Sequence, residues 1–264
     1  MALPRIAISP CPNDTFAFFS LLETKRYEID FLDIEELNRA LLAGAYPIAK
    51  GSFAIMEKLA PTYEILPVGA AIGKGVGPVF VGKIGTGARV ALPGENTTAH
   101  RLFRFWQKFH GGLELEIIQM PFFEMLPALK DGRADAAVLI HEGRFVYKAA
   151  GHALISDLGA FWEEKTGAMI PLGCIYAQKS LAAEEKAAFV ADLKASLGAS
   201  RRECDGKSAF YQTRMLPYIR ELAQERDDRV VEAHIDTYVT SDTLGMGAEA
   251  SRSVGVFRKE CLAP

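Results

Sequence analysis

Five histidines are spread along the chain, at positions 100, 110, 141, 152 and 234, and His141 differs from the rest in what precedes it. It directly follows the apolar run AAVLI, residues 136–140, and so should emerge where a buried strand ends. An imidazole, titrating near about 6.5, is the side chain best matched to proton transfer at neutral pH, which makes His141 a candidate general base. The same position also suits a histidine hydrogen-bonded to a neighbouring loop, and position alone does not separate the two readings. No HExxH pair and no His/Cys cluster with zinc spacing occurs, so no metal is expected. GxSxG is absent, which disfavours hydrolysis by a serine nucleophile elbow.

A second stretch with chemical content is SPCPNDTF, Ser9 to Phe16. Pro10 and Pro12 fix the backbone as it leaves a strand, and Asn13, Asp14 or Thr15 can cap the helix that follows. Cys11, between the prolines, reads as a small buried residue rather than a nucleophile, because no activating charge is evident nearby. Ser52, Thr97 and Thr98 each stand where a helix should start, and N-capping accounts for them without a ligand. Arg144 reads as a partner for Glu142 or Asp157, or for a substrate carboxylate. The glycine-rich GKGVGP, Gly73 to Pro78, lacks the Lys-Ser/Thr ending of a phosphate loop and runs into a strand-like VFVGK, so it reads as a turn.

The elements that must position these residues follow one grammar: a short apolar strand, a polar loop, then an amphipathic helix. RIAIS passes through PCPNDT into FAFFSLLETK, YPIAK through Gly51 and Ser52 into FAIMEKLA, ARVAL through PGENTTA into HRLFRFWQKF, and DAAVLI through His141 into EGRFVYKAA. Alternation of this kind defines an α/β protein with largely parallel sheet, whose ligand crevice lies at the carboxyl ends of the strands. The aromatics Phe16, Phe18, Phe19, Phe103, Phe105 and Trp106 follow helical or near-continuous spacing and are assigned to the core, whereas Phe122 and Phe123 are candidates to face the cleft. A glycine-dense segment ending at Gly87 and a second crossing near residues 167–181 divide the chain into lobe I, residues 1–87 and 173–264, and an inserted lobe II, residues 88–172. Two crossovers make a hinge, which suits a cleft that closes on a small molecule.

Scattered basic residues and a net charge of −3 exclude the footprint of a nucleic-acid binder. The four cysteines, Cys11, Cys174, Cys204 and Cys261, show no CxxC pairing and are too sparse for a disulfide framework. MALPRIAIS does not read as a signal peptide and no run is long enough to span a membrane, so the expectation is a reduced, cytoplasmic protein acting on a small molecule.

SPCPNDTF, GKGVGP, PGENTTA, IHEGRF and FWEEKTGAMIPLG occur in this order over roughly residues 5 to 175. Together they resemble the 1,4-dihydroxy-6-naphthoate synthases of the futalosine route to menaquinone. The resemblance implies a two-lobed type II periplasmic-binding-protein-like fold with a central ligand cleft. It implies a cofactor-free lyase cleaving cyclic dehypoxanthine futalosine to 1,4-dihydroxy-6-naphthoate and a sugar-derived fragment. It also implies that His141 is the proton acceptor, and that Lys50, Gly51, Ser52, Thr97, Thr98 and Ala99, with Ser9 and Asn13 of the opening loop, hold substrate. Two alternatives remain at this level: a solute-binding receptor of the same fold without catalysis, and the chorismate dehydratase of the same pathway.

Overall fold

Residues 4–111 and 113–263 are described by a computed structural model, and their strands form two sheets. In chain order the strands are β1 (Arg5–Ile8), β2 (Glu28–Phe31), β3 (Ile48–Ser52), β4 (Tyr63–Ile65), β5 (Ala71–Gly73), β6 (Val79–Gly82), β7 (Ala88–Leu92), β8 (Leu115–Gln119), β9 (Ala136–Leu139), β10 (Leu154–Asp157) and β11 (Ile170–Gln178). The first sheet has the order β2-β1-β3-β11-β4 with β5 also on β11, and the second has the order β10-β6-β9-β7-β8.

The strands nearest the sheet centres read as short continuous apolar runs because helices cover both faces. β9, AAVL, is buried at every position, and β1 at all but Arg5. Each of the four strand-to-helix junctions read from the sequence is present, although the helix after β1 begins at Pro12 and spans Pro12–Thr24. Proline is favoured at that first position, where its missing N–H has no intrahelical role. Asn13, Asp14 and Thr15 therefore lie within the first turn, and Cys11 occupies the cap position with no side-chain cap bond. The helix Ile34–Leu42 starts with a capping box: Asp33 Oδ1 accepts from Glu35 N at 2.8 Å and Glu36 Oε2 from Asp33 N at 3.0 Å.

The sheets are mixed rather than largely parallel. β1–β2, β1–β3, β7–β8 and β7–β9 pair in parallel, while β6 and β10 run antiparallel to their neighbours and β11 antiparallel to β3, β4 and β5. β6 and β11 are where the chain enters the second sheet and returns from it. The sheet-to-sheet crossings thus fall between Gly73 and Val79 and between Asp157 and Ile170, so the boundary expected at residue 88 comes one strand late. VFVG within the glycine-dense segment is the strand read from the sequence, and it belongs to the second sheet rather than the first.

At the two crossings the backbones touch. A Cβ at Gly77 would lie 2.3 Å from Gly159 Cα, so the approach requires glycine at that point. Arg144 secures the joint: it donates to the carbonyls of Gly77 and Gly75, the latter at 2.8 Å, and pairs with Asp157 at 2.9 Å. Of the partners expected for Arg144, Asp157 is the one it meets, half-buried where the two crossings touch.

The largest core cluster runs through both sheets, joining Ala7, Leu41 and Phe53 to Phe80, Val90, Phe103, Trp106 and Trp162. A second packs Phe16, Phe18 and Phe19 against Phe189 and Leu193 of the long helix Ala183–Asp205. The C-terminal segment does not keep to the first lobe. Phe257 meets Trp162 with ring centroids 5.7 Å apart, and Lys108 Nζ donates to Glu260 O at 3.2 Å. Among the described residues no helix is long and apolar enough to cross a membrane.

Candidate active site

The loops that leave β1, β3, β7 and β9 at their carboxyl ends converge on one cleft between the sheets, enclosing about 640 Å³ including its open mouth. Ser9, Asn13, Asp14, Lys50 and Ser52 line one wall, and Thr97, Thr98, Ala99 and His141 the other. Phe122 and Phe123, read as candidates to face this cleft, line a different cavity, and of the residues expected to hold substrate Gly51 is the exception. A Cβ there would sit 2.5 Å from Leu41 Cδ1 and 3.2 Å from the Tyr176 ring, so its surroundings are core side chains rather than the cleft.

The first wall is organised by a buried ion pair. Lys50 Nζ lies 2.9 Å from Asp14 Oδ1 and donates to Gly69 O at 2.9 Å, which leaves one of its three N–H bonds for the cleft. Asp14 also accepts from Ser9 Oγ at 2.8 Å and from Asn13 Nδ2 at 2.9 Å. A pair this deep survives only when further hydrogen bonds support it, as those from Ser9 and Asn13 to Asp14 and from Lys50 to Gly69 do here. Ser52 makes no helix cap. Its hydroxyl accepts from Asn38 Nδ2 at 2.9 Å, and Asn38 Oδ1 accepts from Ser52 N at 2.8 Å.

The second wall begins with the helix Thr98–Phe109. Thr97 caps it, accepting from His100 N at 3.2 Å, while Thr98 Oγ1 donates to Leu172 O at 2.8 Å. The N–H groups of Thr98 and Ala99 occupy first-turn positions that no helical carbonyl serves, at the positive end of the helix dipole. That end suits a carboxylate.

His141 follows β9 with a left-handed backbone, φ 51°. This conformation is uncommon outside glycine, and histidine is among the residues enriched there. Its Nδ1 lies 3.1 Å from Cys11 Sγ, its ring centroid is 4.7 Å from that of Phe122, and its Nε2 is buried with no partner. Burial drives the ring pKa down to about 4, with Asp14 acting against the shift and Lys50 adding to it. The imidazole is therefore neutral at pH 7. The Cys11 thiol is pushed well up, first by burial and then by the charge of Glu142, so it stays protonated. When Nδ1 carries the ring proton and donates it to sulfur, Nε2 keeps a lone pair.

Two lining residues come from the helix Asp228–Tyr238, a region whose sequence reads as generic helix: His234 and Tyr238. The signal was present in the stripe Val231, His234, Ile235 and Tyr238, in which a histidine takes a core position. His234 is neutral, its pKa held well below the usual value by burial and then by His141, whose ring lies 6.1 Å away. Glu142, next to His141 in the chain, lines a neighbouring cavity rather than the cleft. Fully buried beside His141, it accepts from Gln224 N at 3.1 Å and so ties the second sheet's loop to the C-terminal helices.

Residues 4–263 match the family described as menaquinone biosynthesis. The chain is 35% identical over 261 residues to a 1,4-dihydroxy-6-naphtoate synthase of Streptomyces coelicolor, covering 95% of this chain and 89% of that protein. A second protein of that name, from Thermus thermophilus, is 36% identical over 259 residues, covering 95% and 90%. Among solved structures, a protein of Archaeoglobus fulgidus superposes with a TM-score of 0.86 at 26% identity over 97% of this chain and 95% of that one. The alkanesulfonate-binding protein SsuA of Xanthomonas axonopodis does so with a TM-score of 0.66 at 13% identity over 100% and 95%. The latter likeness shows the fold alone: two lobes of the periplasmic-binding-protein type.

Proposed function

Because the chain belongs to the menaquinone biosynthesis family along nearly its whole length, we propose that it is a carbon–carbon lyase, a 1,4-dihydroxy-6-naphthoate synthase, with His141 as general base. Its substrate in this reading is cyclic dehypoxanthine futalosine, cleaved without a cofactor, in the cytoplasm. The observation that carries the base assignment is the neutral His141 ring, fixed by Cys11 on one edge and unpartnered at Nε2 on the other, in the wall of the cleft.

The other residues divide the work. The N–H groups of Thr98 and Ala99 receive the carboxylate that the product retains, and the hydroxyls of Ser9 and Ser52, the amide of Asn13 and the remaining Lys50 N–H hold the sugar-derived part. Closing the lobes excludes water and brings the substrate's labile proton to Nε2. The Asp14–Lys50 pair keeps the opposite wall electrically neutral, so a proton moving onto His141 meets no nearby uncompensated cation.

Incubation of the purified chain with cyclic dehypoxanthine futalosine, followed by mass spectrometry, tests the reading. The expected result is 1,4-dihydroxy-6-naphthoate released in step with substrate loss. An intact protein that forms no product, and is heat-stabilised by another small acid, would instead be a receptor or would act on a smaller dicarboxylate such as chorismate.

A further inference from the structure

Behind the cleft lies a second cavity, about 630 Å³ including its mouth, and the two share a wall. His141 faces the cleft, whereas Cys11 and Glu142 face the second cavity. Asp33 and Glu36 line that cavity as well, and among the described residues none of its lining side chains is cationic. Cys11 Sγ, a His141 ring nitrogen and a Glu142 carboxylate oxygen all lie within 4.8 Å of one another. Two buried carboxylate oxygens here lack any hydrogen-bond partner, Glu142 Oε2 and Asp33 Oδ2. Glu142 is fully buried, and His234 Nδ1, 4.0 Å from Oε2, is neutral.

A buried, unpartnered carboxylate oxygen is costly unless something positive or proton-donating completes it. A thiol, an imidazole and a carboxylate are the donor set of a borderline-soft divalent ion, and three protein ligands plus water is a common arrangement for zinc. With Zn–S near about 2.3 Å and Zn–N near about 2.0 Å, tetrahedral angles need roughly 3.5 Å between sulfur and nitrogen. The 3.1 Å between Cys11 Sγ and His141 Nδ1 would have to open by a few tenths of an ångström.

We propose that Cys11, His141 and Glu142 form a three-ligand site for a thiophilic divalent cation such as Zn²⁺, reached from the second cavity, and that its occupation arrests the enzyme. On binding, the Cys11 thiol releases its proton to solvent and the ion takes the Nδ1 lone pair of His141. The single ring proton then resides on Nε2, which turns from acceptor to donor on the cleft side. Substrate still fits, because the ion lies behind the ring. The site itself stands apart from the lyase reading, while its effect on turnover rests on His141 being the base.

The test titrates the metal-free full chain with Zn²⁺ against a chromophoric chelator, and with Co²⁺ as a spectroscopic probe. The wild type is expected to bind one equivalent and to show a thiolate-to-cobalt absorption band. Cys11→Ser and Glu142→Gln should each weaken binding about tenfold or more. Absence of stoichiometric binding, a cobalt complex without the thiolate band, or undiminished affinity in both variants would overturn the site. In turnover assays bound Zn²⁺ should lower kcat and leave KM nearly unchanged. Binding that fulfils the spectroscopic test while kcat is undiminished would leave the site standing and remove His141 from the role of base.

Discussion

On one wall of the cleft Asp14 accepts from Ser9, Asn13 and Lys50, and Lys50 donates onward to Gly69. On the other, His141 meets Cys11 through one ring nitrogen and has no partner at the second. The first wall completes its charges within the protein and acts as framework. The second leaves a lone pair uncompleted, on a residue with left-handed backbone, and that incompleteness is what a reaction can use. The difference teaches that buried charge density alone does not locate chemistry. The ion pair is the more polar feature of the cleft, yet the imidazole is the one with a nitrogen left unpartnered.

The largest expected effect tests the framework wall. Asp14→Asn or Lys50→Met leaves one buried charge unpaired and should cost about 3–5 kcal/mol of stability, read as a shift in urea midpoint at constant m. The double substitution should recover much of that loss. Since the third Lys50 N–H is assigned to substrate, the refolded double variant should also bind substrate more weakly, and undiminished binding would confine Lys50 to the framework.

A smaller effect is expected at the joint between them. Gly77→Ala drives a methyl into the Gly159 backbone and should cost about 1–3 kcal/mol by overpacking. It removes no group from the cleft, so a fall in kcat with it would show that lobe geometry, not only wall chemistry, sets the rate.

The smallest signal is the position of the acid limb of kcat/KM. His141 must be neutral to accept a proton, and burial lowers its pKa to about 4, so the limb belongs near 4 rather than at the ordinary imidazole value. Activity should be flat from pH 7 to 5 and fall only below that. A limb near about 6.5 would mean that the catalytic group is a solvated histidine, and would dissolve the contrast.

Much of this arrangement was legible in the sequence because each wall residue sits where an apolar strand gives way to a helix. RIAI before Ser9, IAKGS ending at Ser52 and AAVL before His141 all declare themselves by local pattern. What was not legible depends on distant partners. Cys11 and His141 are 130 residues apart, and Glu142 meets Gln224 across 82. His234 and Tyr238 enter the cleft only because their helix docks on Pro12–Thr24. VFVG was legible as a strand, but not that it begins the second sheet, since its partners β9 and β10 lie more than fifty residues on. Gly51, grouped with Lys50 and Ser52 by adjacency, faces away because successive residues of a strand point to opposite sides.

The most direct test of the central claim compares wild type and His141→Ala for kcat and, separately, for substrate dissociation constant. The account predicts a loss of about a hundredfold or more in kcat with dissociation changed only a few-fold. A variant that turns over at the wild-type rate, or one that loses binding in proportion to rate, would contradict it.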